Sequence, residues 1–437
     1  MIDFDNMETL TNRNIFIINN QENLLPDKHV AVYLPLSNYV RIVNENKLQE
    51  LKITLASKDT PNDLIIKEII DKSLDTKRRI NSCSHNIEDI TTLILLPNNK
   101  CNFRCSYCYS SMGRSIKELD IEKGKRILEY FISEERCKNK KLTLLALGGG
   151  EPLLSWDLLK LLLKYAVELN QRRNGELYIS IISNGSIIND DILNFCKKYN
   201  IGLCMSFDIL EDVQNKQRGH YKLVCDNINI YTEKGVDVGI TTVITENNIF
   251  RMHEMIDSMM STIPLVKKVT FKPLIPNGYL TSIGSREEYY NIFVKEFLVA
   301  KKYAEQLGIF LTCPFYNAIS SLNDRFCSGK FVVSNNGDIT SCNCISSPKE
   351  DLFDDFVFGH IGNSNITFDS KKYNSIVSHN SYHKERCRHC ALKYHCAGGC
   401  YVEMAYMNDR DMDIYCNAMQ FFLLKYLLEK QNIKHGE

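Results

Sequence analysis

The sequence predicts an α/β protein in which parallel strands alternate with helices, as an open barrel or a doubly wound sheet, between a small α+β unit and a cysteine-rich tail. Three observations predict it. From about Ile90, short apolar runs alternate with longer segments of helical spacing. Before that point, strand-like runs come first and helical ones follow. From Cys313 to Cys416 the alternation breaks down and cysteines recur at short spacings.

In chain order, "NIFII" and "VAVYLPLSNYVRIVN" read as short strands, rich in β-branched and aromatic residues. "NKLQELKITLAS" and "PNDLIIKEIIDKSLD" read as helical pieces, the second with Asn62 placed as its cap. "TTLILL", "LTLLAL", "ELYISIIS", "IGLCMSF", "VDVGITTVI" and "KKVTFKPL" are short, continuous and rich in Leu, Ile and Val, as buried strands are. Helical candidates lie between them at Asp120 to Glu134, Trp156 to Asn170, Asp190 to Tyr199, Tyr221 to Lys234 and Arg251 to Ser261. A last long helix follows at Arg286 to Gln306. Such alternation implies parallel strands joined by right-handed crossovers, with the chemistry at their carboxyl ends. The expected division is 1–90, an α+β unit; 91–308, the alternating array; and 309–437, the cysteine-rich region.

Composition narrows the function. A chain of 437 residues with 44% apolar residues holds two or three domains with sizeable cores. Lys plus Arg and Asp plus Glu number 53 each, so overall charge recruits neither nucleic acid nor an anionic membrane. "MIDFDNMETLTNRN" lacks a basic flank followed by an apolar run, and no apolar stretch reaches the roughly 18 residues that cross a bilayer. The expectation is a soluble cytoplasmic protein. In that reducing setting 17 cysteines, some closely spaced, point to metal or iron–sulfur ligation rather than disulfides.

"KCNFRCSYCY" sets Cys101, Cys105 and Cys108 just after the first strand of the array. Three thiolates at this spacing suit zinc with a fourth ligand, or three irons of a 4Fe–4S cluster with the fourth iron open. Tyr107, the aromatic before the last cysteine, and the place at a strand end favour the second. Four further motifs end successive strands: "GGGEP" at Gly148 to Pro152, "SNG" at Ser183 to Gly185, "SFD" at Ser206 to Asp208 and "VITENN" at Val243 to Asn248. Glycines permit close backbone approach, and a carboxylate pairs with an ammonium.

From about Leu93 to Leu274 the chain resembles the radical S-adenosylmethionine (radical SAM) enzymes. The resemblance implies a partial (β/α)6 barrel. It implies that Cys101, Cys105 and Cys108 hold a 4Fe–4S cluster whose open iron takes the amino and carboxylate groups of S-adenosylmethionine. Tyr107, Gly149, Gly150, Glu151, Ser183, Asn184, Arg218 and Thr245 would surround that cofactor, and Asp208 would act as a base or substrate contact. One electron would then cleave a carbon–sulfur bond of the cofactor, giving methionine and a 5′-deoxyadenosyl radical that takes hydrogen from substrate.

Downstream, Cys327, nine residues, Gly337, four residues and Cys342 precede Cys387, Cys390, Cys396, Cys400 and Cys416. This spacing resembles the SPASM motif. By that resemblance, Cys387, Cys390, Cys396 and Cys416 hold one auxiliary 4Fe–4S cluster, and Cys327, Cys342 and Cys400 a second, for three clusters in all. Related enzymes place an eighth cysteine upstream, where this chain has Ser321. Cys313 is therefore the expected fourth ligand, with Cys344 a weaker contender and an open site a third option. Cys83, Cys137, Cys196, Cys204 and Cys225 lack partners at ligand spacing and read as ordinary thiols.

The implied function is a maturase that installs a thioether or carbon–carbon crosslink in a ribosomally made precursor peptide. Its leader would be gripped by residues 1–90, and electrons would come from a donor such as flavodoxin or ferredoxin. The alternatives are a formylglycine-forming, sulfatase-maturating enzyme and a non-catalytic iron–sulfur or zinc protein.

Overall fold

The computed structural model describes residues 10–57, 60–137, 140–274 and 285–430. Strands β1 (Phe16–Ile18), β2 (His29–Leu34) and β3 (Tyr39–Asn44) form an antiparallel sheet in that order. A tight turn at 35–38 splits the long apolar run and registers Leu34 against Tyr39. Helices Glu45–Ser57 and Leu64–Ser73 follow. The second starts one residue later than Asn62 would cap. Asp63 is the cap instead, its carboxylate accepting from the N–H groups of Ile65 (2.9 Å) and Ile66 (3.0 Å).

This unit has its own small core of Val32, Leu51, Ile66 and Ile69. Its other face docks on the cysteine-rich region. Phe16 meets Tyr394 edge-on, with ring centroids 5.9 Å apart, and the Tyr394 hydroxyl donates to Asn14 Oδ1 at 2.7 Å. His395, 1% exposed, touches the Ser321 carbonyl through Nδ1 and the Tyr33 hydroxyl through Nε2, both at 2.9 Å. A carbonyl only accepts, so Nδ1 carries the proton and Nε2 accepts from Tyr33.

Six parallel strands build the central body: β4 (Thr92–Leu95), β5 (Leu142–Ala146), β6 (Leu177–Ser183), β7 (Gly202–Ser206), β8 (Val238–Ile244) and β9 (Lys268–Pro273). They lie within the six runs expected. The helices Ile121–Phe131, Trp156–Arg173, Asp190–Tyr199, Tyr221–Glu233 and Met252–Thr262 fall within three residues of their expected ends, and Arg286–Gln306 matches at both. The short helix Glu211–Gln217 was not foreseen; its polar sequence gives little periodicity to read.

The sheet continues past the array at both edges. β10 (Phe310–Thr312) adds in parallel to β9, and β11 (Phe331–Val333) adds in parallel to β4, Val332 opposite Ile94. β12 (Asp338–Thr340), β13 (Val357–Ile361) and β14 (Ile366–Phe368) extend that second edge antiparallel, making an 11-stranded sheet among the described residues. The change near residue 309 is thus one of composition, while the hydrogen-bonded sheet runs through it. A final helix, Asp409–Lys430, returns onto Arg286–Gln306, where Phe422 and Phe297 lie 5.9 Å apart. No helix among the described residues is long and apolar enough to cross a membrane.

Candidate active site

The carboxyl ends of β4 to β8 gather the expected motifs into one crevice. After β4 the chain presses against the "GGGEP" loop: Glu151 N–H donates to Lys100 O at 2.7 Å, and a Cβ on Gly150 would overlap that same carbonyl group. Only glycine lets the two backbones close to this distance. Asn98, fully buried, ties the same loops through its amide, which donates to Glu151 O (3.0 Å) and Ser155 Oγ (2.8 Å). A Cβ on Gly149 would come within 2.5 Å of Asn99 Oδ1, a buried oxygen without a hydrogen-bond partner.

Glu151 is 1% exposed, and its carboxylate accepts from Ser183 Oγ (2.8 Å), Leu153 N (3.0 Å) and Asn184 N (2.6 Å). Burial raises its pKa, and these donors oppose the rise. The group expected to meet the cofactor's ammonium is therefore a clamp between the ends of β5 and β6. Ser183 belongs to the clamp, while Asn184 faces the cysteines, donating to Asn102 Oδ1 at 2.9 Å and lying 3.9 Å from Cys101 Sγ.

Tyr107, Asp208 and Arg218 join the cysteine loop to β7. The Tyr107 hydroxyl lies 2.9 and 2.7 Å from the two Asp208 oxygens and accepts from Arg218 Nη1 at 3.1 Å. Asp208 also accepts from Val243 N (3.3 Å) and Gln217 Nε2 (3.4 Å). At 1% exposure its pKa is raised by burial against the pull of Arg218 and Tyr107. So placed, Asp208 ties the cysteine loop to the ends of β7 and β8. Arg218 Nε is buried and unpaired, and the guanidinium acts electrostatically on Cys105. Thr245, at the end of β8, is buried and engaged locally with Asn247 and Asn248.

Sequence reasoning missed Arg114, whose Nη2 donates to Cys108 Sγ at 3.6 Å and whose charge also feels Cys101. It missed Tyr109, Asn343 and Lys330 too. Tyr109 and Arg114 lie just beyond the three-cysteine motif, the only signal that could have found them.

The thiols sort into three sets by the charges they exert on one another. Cys105 feels Cys101 and Cys108. Cys396 feels Cys416, Cys390 and Cys387. Cys400 feels Cys342 and Cys327, and these three line one cavity. Burial is the first cause that raises the pKa of Cys105, Cys396 and Cys400. Cys313 joins none of them. It caps the helix Pro314–Ser320, is fully buried, and its thiol accepts from Tyr316 N at 3.4 Å. Its thiol is engaged in its own helix cap, and no other cysteine is among the charges that act on it.

Among the described residues no three such side chains converge on a single-ion point. A four-iron cube, whose ligands sit on separate irons, does not ask for it. The first set fits a cluster with one open iron: three half-buried thiols, beside an orphaned donor (Arg218 Nε) and an orphaned acceptor (Asn99 Oδ1) of the kinds a carboxylate and an ammonium need.

Residues 95–259 match the radical SAM superfamily, so this part of the chain is a radical SAM domain. The cysteine-rich C-terminal region continues the sheet of this domain. The chain is 24% identical over 370 residues to the cysteine-type anaerobic sulfatase-maturating enzyme of Clostridium novyi, covering 78% of this chain and 96% of that one. The structure of anSMEcpe with bound AdoMet and Cp18Cys peptide shares the fold at a TM-score of 0.63 and 18% identity, over 78% of this chain and 99% of that one. Streptococcus suis SuiB bound to precursor peptide SuiA shares it at 0.54 and 15%, over 91% and 97%.

Proposed function

We propose that this chain is a radical SAM maturase that installs a crosslink, thioether or carbon–carbon, in a ribosomally made precursor peptide. The observation that carries this reading is the N-terminal unit. Among the described residues its sheet ends at β3, which pairs with β2 alone, and an extended leader can add there as a fourth strand. The unit is docked on the cysteine-rich region through Tyr33, Phe16 and Asn14, so the leader would be held on the body that carries the site. The wider span shared with the SuiB complex supports the same reading.

When bound at Cys101, Cys105 and Cys108, the cluster and S-adenosylmethionine supply a radical able to remove hydrogen from the peptide. This chain's residues bind and orient. The Gly149 and Gly150 backbone lets the methionine end approach, and Arg218, held by Tyr107 and Asp208, presents Nε–H to a carboxylate. Glu151 locks the loops that exclude water. Cys387, Cys390, Cys396 and Cys416, and the set around Cys342, would hold auxiliary clusters, sites for the electron that crosslinking releases. A flavodoxin- or ferredoxin-like protein would supply reducing electrons.

A second reading, formylglycine formation on a sulfatase, is favoured by the alignment over 96% of the Clostridium novyi enzyme. The test is anaerobic incubation, with reductant and S-adenosylmethionine, of a precursor peptide encoded beside this chain's gene and of a sulfatase peptide. Intact mass is read for the full chain and for a form lacking residues 1–90. Loss of two hydrogens per crosslink in the precursor, weakened by the deletion, is expected. Conversion of a sulfatase cysteine to an aldehyde, with the precursor unchanged, overturns the proposal.

A further inference from the structure

By spacing, the second auxiliary set has three cysteines and an unfilled fourth place, and Cys313 does not fill it. Cys344 is the thiol the fold delivers there. A turn closed by Ile345 N–H on Cys342 O, at 3.1 Å, sets Cys344 one residue beyond Cys342 in the same turn, and the two thiols act on one another. The largely buried Lys330 interacts by charge with Cys327, Cys342, Cys344 and Cys400, the four thiols of one site. A lysine so placed is a counter-charge for an anionic group rather than a partner of one thiol.

The direction of the Cys344 corner follows from its neighbours. Asn343 Nδ2 lies 4.0 Å from Cys344 Sγ, and the Asn343 side chain is also among the groups that act on the Tyr109 hydroxyl. Tyr109 directly follows Cys108 and interacts by charge with Cys108, Cys342 and Cys344. It stays 38% exposed although it lies between two cysteine loops, so it faces a cleft between them. The two loops interlock below it: a Cβ on Gly113 would come within 2.8 Å of Ser347 Cβ. Cys342 and Cys344 are thus the members of their set that act on Tyr109 together with Cys108.

We propose that Cys344, in place of an upstream cysteine, is the fourth protein ligand of the auxiliary cluster held by Cys327, Cys342 and Cys400. With that ligand the cluster would have four thiolates and no open iron. It follows that the peptide substrate reacts beside this cluster without ligating its iron. The inference rests on the reading of the cysteine-rich region as an iron–sulfur domain.

The test compares wild type, Cys344→Ala, Cys344→Ser and Cys313→Ala, each reconstituted without oxygen. Iron content, the electron paramagnetic resonance spectrum of the reduced protein and 5′-deoxyadenosine formation are measured. Wild type and Cys313→Ala are expected to hold about twelve irons, and the Cys344 variants either to drop toward about eight or to keep a cluster with an altered signal. Added 2-mercaptoethanol should change the auxiliary signal in the Cys344 variants only. Cofactor cleavage should persist in all four, which shows that each variant has folded. Loss of the auxiliary signal in Cys313→Ala with both Cys344 variants unchanged overturns the assignment, as does a wild-type auxiliary signal that shifts with added thiol. Wild type that retains cofactor cleavage but holds only about four irons refutes the iron–sulfur reading beneath it.

Discussion

Gly150 sets how near the cysteine loop can come to the loop that follows β5, because any side chain there would enter the Lys100 carbonyl. Gly150→Ala must push the loops apart and break the Glu151 N–H to Lys100 O bond. S-adenosylmethionine binding is expected to weaken at least about tenfold, a loss of about 1.4 kcal/mol, while folding is retained. Isothermal titration of the reconstituted variant checks it; unchanged affinity would show that the contact between the loops is slack. At this scale the sequence located the site and left its wiring open. "GGGEP" and "SFD" marked the right strand ends, yet which atoms Glu151 and Asp208 touch depends on the spacing between strands. That spacing, set by core packing, gives both carboxylates buried partners across neighbouring strand ends. The standing of Cys344 likewise depends on a turn and on Lys330 rather than on a motif.

Elements were more legible than wiring, because continuous apolar runs and helical periodicity act locally. The β4 to β9 array and the helix Arg286–Gln306 follow from pattern alone. Docking of the N-terminal unit does not, since it hangs on single side chains such as His395. Burial holds the pKa of His395 down to about 4 from 6.5, so it is neutral in the folded protein. An unfolded chain takes up a proton as pH falls through 6.5, and the folded one does not until about 4. Stability from this group is therefore fully present above 6.5 and is lost progressively on acidification toward 4, by at most about 3 kcal/mol. Denaturant titrations of cluster-free protein between pH 7 and 5 should show this slope. His395→Asn should lower stability at pH 7 and flatten the dependence; an equally steep variant would place the sensitivity elsewhere, the half-buried His379 also having a lowered pKa.

At the scale of the whole molecule, the radical SAM domain and the cysteine-rich region share one sheet. β10 covers the edge of β9 and β11 covers the edge of β4, so the chain beyond residue 308 closes both sides of the array. The helix Asp409–Lys430 also covers Phe293 and Phe297, both fully buried, on the helix Arg286–Gln306. A fragment ending at Gly308 would leave two strand edges unpaired and an apolar helix face in water, each a route to aggregation. Composition suggested three separable parts because cysteine content changes abruptly, whereas strand pairing leaves no mark in composition. The expectation is that residues 1–308 fail to yield soluble monomer and that the cluster-free full chain unfolds with its two regions coupled, read by scanning calorimetry and by hydrogen exchange in β4 and β11. A soluble 1–308 fragment that binds iron and cleaves S-adenosylmethionine would show that the array folds unaided, and that β10 and β11 merely decorate its edges.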